Sequence, residues 1–510
     1  MASSPSSSND TGLDHALMMV AWVVVLGAIM SILDVTVVNV AINTLARDFH
    51  TTLPTIQWVS TGYTLALATV IPLTGWAADR FGTKRLYMTS ITLFVGGSML
   101  SGLAWSAGSL IGFRILQGFG GGMLMPLGMT ILTRAAGPQR VGRVMAVIGV
   151  PMLLGPIFGP ILGGWLVDDF SWRWIFFINV PIAAGALALS MRVLPSDVPE
   201  PGHRLDWLGL ALLSPGLAAV IYGLAQSGSA GGFGGAKVLL PMLAGAIALA
   251  FFVRHALRTP DALIDLRLFT NRTFAVSSLT LTLVIISVFG GMLLLPLYLQ
   301  AVRGESAMST GLLLAPQGFG AMIAMPIAGR LTDRTGVGRI VPVGLVLVGL
   351  SFLGLTQLAG DTSYWTFGVL LFVMGLGMGA TMMPTFSGAM QTLRRAAIAR
   401  ASTTLNINQQ VSASIGTAVL SVLLANALAD RLGNRGGGGI GAAAAVPPEV
   451  RARIAGPMAE AFASTFWWAL VLVVIAFVVS TPLLPKQKPE PVDDPDTPED
   501  AESLPPVLVA

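Results

Sequence analysis

The chain is 510 residues long; 54% of them are apolar, only 11% are charged, and mean hydropathy is +0.76. A soluble domain carries about 25% charged residues, so most of this chain belongs in lipid. The absence of Cys rules out disulfides and thiolate metal sites, the four His fall at no metal-ligand spacing, and a net charge of +4 gives no reason to expect a nucleic acid partner.

Residues 1–16 are polar and Ser-rich, without a basic n-region or a small-residue cleavage site, and read as a disordered cytoplasmic arm rather than a signal peptide. Apolar windows of bilayer-spanning length then recur. They fall near 17–42, 55–76, 86–105, 109–134, 142–167, 174–194, 207–226, 237–256, 273–299, 307–330, 339–358, 364–390, 399–428 and 463–484, fourteen in all. Lys and Arg concentrate in alternate connections, which puts both termini on the cytoplasmic side of a cell (plasma or inner) membrane.

The expected fold is therefore an all-α, multi-pass membrane protein. A first six-helix bundle occupies 17–194, two linker helices and a cytoplasmic connector occupy 195–272, and a second six-helix bundle occupies 273–484. The acidic, Pro-rich tail 485–510 is expected to be disordered. Two stretches stay open to more than one reading. In 257–272, Leu263, Leu266, Leu268 and Phe269 either lie on the membrane surface or belong to a solvated connector. In the outer loop 429–462, the run VPPEVRARIAGPMAEAF has the pattern of a short amphipathic helix, and the loop suits either an outer accessory protein or a gating lid.

The first window contains Asp34, followed by Thr36 and Asn39. An ionised acid at membrane depth costs on the order of 2.5–3.5 kcal/mol, so it marks a functional site with a partner. Helix 4 carries Arg114, with Gln117 one turn on and on the same face. Arg stays protonated, and Asp34 is the one acid clearly inside the first six windows, which makes it the natural counter-charge. The alternative is that Arg114 snorkels to the outer surface.

Two inner loops repeat a pattern. Gly75, Asp79, Arg80, Gly82, Lys84 and Arg85 stand between helices 2 and 3, and Gly329, Asp333, Arg334 and Gly336 follow helix 10. A tight turn at the last Gly, flanked by charge, explains each; their spacing predicts two repeated halves. Helix 5 holds Gly155, Pro156, Gly159, Pro160, Gly163 and Gly164. Glycines four apart form one bare ridge for close helix packing, and the prolines permit bending. Gln57, Tyr63, Gln317, Asn406 and Gln409 are the polar groups available to a substrate cavity.

These motifs resemble those of the major facilitator superfamily. The loops are similar to its G-x-x-x-D-R-x-G motif, Arg114 to Gln117-Gly118 to its R-x-x-Q-G motif, and the Gly-Pro pairs to its antiporter motif. Leu33-Asp34-Val35-Thr36-Val37-Val38-Asn39, Trp172-Arg173-Trp174 with Asn179-Val180-Pro181, and Asp265-Leu266-Arg267 with Asn271-Arg272-Thr273-Phe274 resemble the fourteen-helix drug/proton antiporters, the EmrB/QacA-like branch. The resemblance covers about 15–484. It implies proton-coupled export of lipophilic or amphipathic compounds, with Asp34 and Arg114 in proton coupling and the proton gradient as energy source. It implies no cofactor, no metal and no catalytic residue.

Helices 9–14 hold no acid at depth, unlike relatives that export divalent organic cations, which argues against such cargo. The expected partners are small amphipathic substrates, protons and membrane lipids, on a monomer. A dedicated exporter of an endogenous lipid, siderophore or antibiotic would look the same in sequence. A non-transporting membrane sensor or an enzyme is disfavoured, because no nucleotide loop and no catalytic-triad spacing occurs.

Overall fold

The computed structural model describes residues 15–51, 53–56, 58–136, 158–159, 162–167, 169–195, 205–230, 232–259, 262–305, 307–393, 397–432 and 448–487. These residues form helices, turns and loops, with no strand among them. The first group is α1 (His15–Asp48), α2 (Leu53–Ile56), α3 (Trp58–Val70), α4 (Thr74–Phe81), α5 (Thr83–Gly102), α6 (Ala107–Ala136), α7 (Trp174–Phe177) and α8 (Asn179–Val193). The linker pair is α9 (Trp207–Ala230) and α10 (Ala236–Ala256). The second group is α11 (Arg272–Ala301), α12 (Ala307–Thr335), α13 (Val337–Leu355), α14 (Tyr364–Gln391), α15 (Ile398–Leu432) and α16 (Pro448–Leu483).

Eleven of the described helices are long and apolar enough to span a bilayer. The expectation of fourteen differs for local reasons. Window 55–76 is interrupted: Pro72 sits in a 3₁₀ turn, Ile71–Leu73, which divides the segment into α3 and α4. Pro lacks the N–H that would continue the α-helical ladder. Window 86–105 forms α5, but Thr, Ser and Lys dilute its hydropathy. Window 142–167 lies mostly outside the described residues.

Within the first group, α6 packs against α1, α3 and α5, and α8 packs against α1 and α5. Within the second, α14 packs against α11, α12 and α13, while α16 packs against α11, α13 and α15. The two groups meet where α15 lies against α4 and α6; Ser402 Oγ donates to the Pro126 carbonyl at 3.3 Å. Many helix pairs approach through glycine. A Cβ on Gly97 of α5 would lie 2.6 Å from the Gln117 backbone of α6, so only a bare Cα permits that contact.

The described residues place parts of both stretches left open in sequence. In the connector, Leu263, Ile264 and Leu268 are buried against the helices, and Phe269 alone of the apolar group is exposed. Asp265 and Asn271 cap the turns that follow: Asp265 accepts from Arg267 N, and Asn271 accepts from Phe274 N at 3.1 Å to start α11. The amphipathic run after 447 is not a separate helix. It opens the 36-residue α16 and continues directly into the last span.

Candidate functional site

Asp34 lies in the middle of α1 and points into the first helix group, where its side chain has no solvent contact. Arg114 of α6 donates from NH1 to Asp34 Oδ2 at 2.5 Å. Gln117, one turn along α6, closes a three-sided ring. Its Nε2 donates to Asp34 Oδ1 at 2.8 Å, and its Oε1 accepts from Arg114 at 2.8 Å. Arg114 Nε donates to the Val59 carbonyl at 3.3 Å, and the guanidinium stacks 4.1 Å from the Tyr63 ring. Arg114 is 1% exposed and Gln117 fully buried, so this is a desolvated pair and no snorkelling residue.

Asn179, noted above only as part of a resembling motif, joins the cluster. It starts α8, 145 residues from Asp34, and donates to Asp34 Oδ1 at 3.4 Å and to Ser98 Oγ at 3.0 Å. Ser98 in turn donates to the Phe176 carbonyl at 2.9 Å. Asp34 therefore accepts from a guanidinium and two amides on α6 and α8. Tyr63 belongs with this cluster, its hydroxyl 3.5 Å from Ser31 Oγ.

The small-residue ridge reaches the same place. A Cβ on Gly159 would overlap the Thr36 hydroxyl, and one on Gly163 would stand 3.1 Å from Val37 Cγ1. The ridge thus seats against α1 just beyond the acid, while a Cβ on Gly164 would meet nothing within 4 Å. Thr36 itself donates to the Leu33 carbonyl at 3.0 Å. Gly155, Pro156, Pro160 and Gln57 lie outside the described residues, as do the side chains of Asn39 and Asp333.

The two repeated loops are built alike. Gly82 (φ 84°) and Gly336 (φ 86°) adopt the left-handed region that favours glycine. Each loop holds the end of the last helix in its own group. Lys84 Nζ donates to the Met191 and Leu194 carbonyls at 3.0 and 2.6 Å, at the end of α8. Gly338 N donates to the Pro485 carbonyl at 2.9 Å, just beyond α16. Gly75 packs near Thr403 of α15, and Arg134 lies 3.8 Å from Asp79. Arg80 and Arg85 of the first loop and Gly329 and Arg334 of the second sit at the adjoining helix ends.

The remaining polar candidates lie apart. Gln317 of α12 is buried, with Nε2 3.1 Å from Met378 Sδ on α14. Asn406 donates to its own helix at Ser402 O, and Gln409 is half-buried on α15. A separate cavity of about 220 Å³ opens between α3, α9 and α15; Ser60, Thr61 and Thr64 face Ser414 and Thr417 across it.

The family profile described as Major Facilitator Superfamily matches residues 24–417. The chain belongs to this superfamily. Among superfamily relatives, the Multidrug resistance protein B homolog of Mycobacterium tuberculosis (H37Rv) is 46% identical over 496 residues, covering 93% of this chain and 91% of its own. The Multidrug export protein EmrB of Escherichia coli K12 is 31% identical over 407 residues, covering 79% of each chain. The fold matches the human organic anion transporter MFSD10 (TETRAN), with a TM-score of 0.59 at 16% identity, over 91% of this chain and 99% of that one. It also matches the proton:xylose symporter XylE, with a TM-score of 0.58 at 14% identity, over 93% and 97%. The superfamily fold and its multi-pass membrane character follow, in the EmrB/QacA-like branch of efflux transporters. The chain is a transporter-family protein rather than an enzyme.

Proposed function

We propose that the protein exports lipophilic or amphipathic compounds, multidrug-type cargo, from the cytoplasm or inner leaflet in exchange for protons. The observation that carries this reading is the buried Asp34–Arg114 pair with Gln117 hydrogen-bonded to both members. Ionised, Asp34 neutralises Arg114 and accepts from both amides. Protonated, it leaves Arg114 with a carbonyl, an amide oxygen and a ring as partners. Removing one charge from a buried pair costs about 3–5 kcal/mol. Such an energy changes a two-state ratio by roughly two to almost four decades. Protonation is thus strong enough to re-pack α1 against α6 and the glycine ridge, and cargo binding selects the other packing.

The halves 17–194 and 273–484 rock about their contact at α15, with 195–272 as the linker between them. The arm and the tail lie on the cytoplasmic side of the cell membrane, and the protein acts as a monomer. The names of the relatives support drug cargo, and apolar walls with few polar anchors suit many ligands.

The test is transport in inverted vesicles with a panel of dyes and drugs, read with a pH probe. Wild-type protein should release protons from the lumen when cargo is added. Asp34→Asn should remain folded in the membrane and show neither proton release nor uphill cargo uptake. Undiminished proton-coupled uptake by Asp34→Asn overturns the reading.

A further inference from the structure

Linker helix α9 does not stand apart from the two helix groups. Its Ser214 Oγ donates to the Thr69 carbonyl of α3 at 2.6 Å, and its Tyr222 stacks on Trp58 with ring centroids 5.8 Å apart. On its other flank, Leu213 and Leu217 are buried in a cluster with Ile407 and Val411 of α15. The helix therefore bridges α3 and α15, and the 220 Å³ cavity lies in that seam with Ile221 and Ala225 as its third wall. The contacts of Leu213, Ser214, Leu217 and Tyr222 hold α9 against both neighbours on the approach to the cavity.

Its chemistry is specific. No lining residue is ionisable. Thr64 donates its hydroxyl hydrogen to the Ser60 carbonyl at 3.0 Å, Ser414 to Gln410 O at 2.9 Å, and Thr417 to Ala413 O at 3.1 Å. Each of these hydroxyls has spent its proton on its own helix and turns lone pairs to an occupant. The cavity offers acceptors without a carboxylate to offset a buried cation. Its volume equals that of about seven liquid waters, enough for a small polar head.

We propose that this seam is a binding site for an uncharged amphiphile whose head carries hydroxyl or amide donors. The site is separate from the Asp34 cluster. Because its walls come from both helix groups and from the linker, an occupant ties the three together.

The chain contains no native cysteine, so one introduced thiol reports on the site. The full-length Ala225→Cys protein in phosphatidylcholine nanodiscs is labelled with N-ethylmaleimide, and the rate is read with three probes of equal chain length. These are 1-O-decylglycerol, its 2,3-dimethyl ether and decyltrimethylammonium. At a concentration where decylglycerol slows labelling several-fold, the other two should need about tenfold more for the same protection, as expected for one or two net hydrogen bonds. Adding Thr64→Val and Thr417→Val should remove the protection, whereas Thr64→Ser and Thr417→Ser should keep it. If the valine pair does not fold, Thr417→Val alone is read in the same way. Absence of protection by decylglycerol, equal protection by the ether or the ammonium, or protection that survives the valines would each overturn the proposal. The readout involves no transport, so it stands or falls separately from proton-coupled export.

Discussion

Gly159 abuts Thr36 so closely that no space for even one methyl group is left between the glycine ridge and α1, two residues beyond Asp34. Gly159→Ala should therefore displace α1 and lower export several-fold without unfolding the protein. Overpacking a tight contact typically costs about 1–3 kcal/mol. Thr36→Gly removes both the hydroxyl and the Cβ that the new methyl group would meet, so the double variant should recover much of the lost rate. Additive losses in the double-mutant cycle would show that the two residues do not act through this contact.

Arg114→Ala strands a buried carboxylate, and Arg114→Gln with Asp34→Asn replaces the pair by neutral amides. The single variant should lose about 3–5 kcal/mol of stability unless Asp34 takes up a proton. The neutral pair should regain most of it and still transport nothing uphill. Thermal melting in detergent, set beside vesicle transport, separates the two effects. A double variant as unstable as Arg114→Ala would count against charge imbalance as the cause.

Gly82 and Gly336 are the two glycines held at nearly the same positive φ in the repeated loops. Alanine at either position should cost roughly 1–2 kcal/mol from backbone strain alone. At Gly336 the cost should be larger, because an added Cβ would stand 2.7 Å from the Gln487 carbonyl. Melting curves for both variants test the ranking.

Lys84 closes the end of α8 with two carbonyl contacts. Lys84→Ala should destabilise by about 1–2 kcal/mol, less than a fully buried charged bond, since the side chain is half-open to solvent. The loss should appear as faster proteolysis of the connection after Leu194. Unchanged cleavage there would mean that the bonds contribute nothing to holding the helix end.

The Asp34–Arg114 contact was legible from sequence because charge at membrane depth leaves few choices: one acid and one guanidinium lie away from the ends of the same six windows. Gln117 followed from helical spacing. Asn179 did not, because an amide at a helix start reads equally as a cap and its partner is 145 residues away. Tyr63 was placed as a cavity residue from polarity alone, which could not reveal that its ring lies under a cation. The bridging role of α9 was hidden for a related reason. A helix apolar on every side carries no periodicity that distinguishes a lipid face from a protein face. The break at Pro72 was visible as a residue, but hydropathy averages over it.

The described partners of Asp34 lie on helices between residues 58 and 193. On the proposed mechanism, the energy source is therefore wired within one half, while Gln317 and its methionine neighbours stand in the other. If the proposed cavity role of Gln317 holds, point changes in that second half should broaden or narrow the range of compounds expelled and leave the drive intact. A lineage under selection by a new toxic compound can adapt this exporter without rebuilding how it is powered.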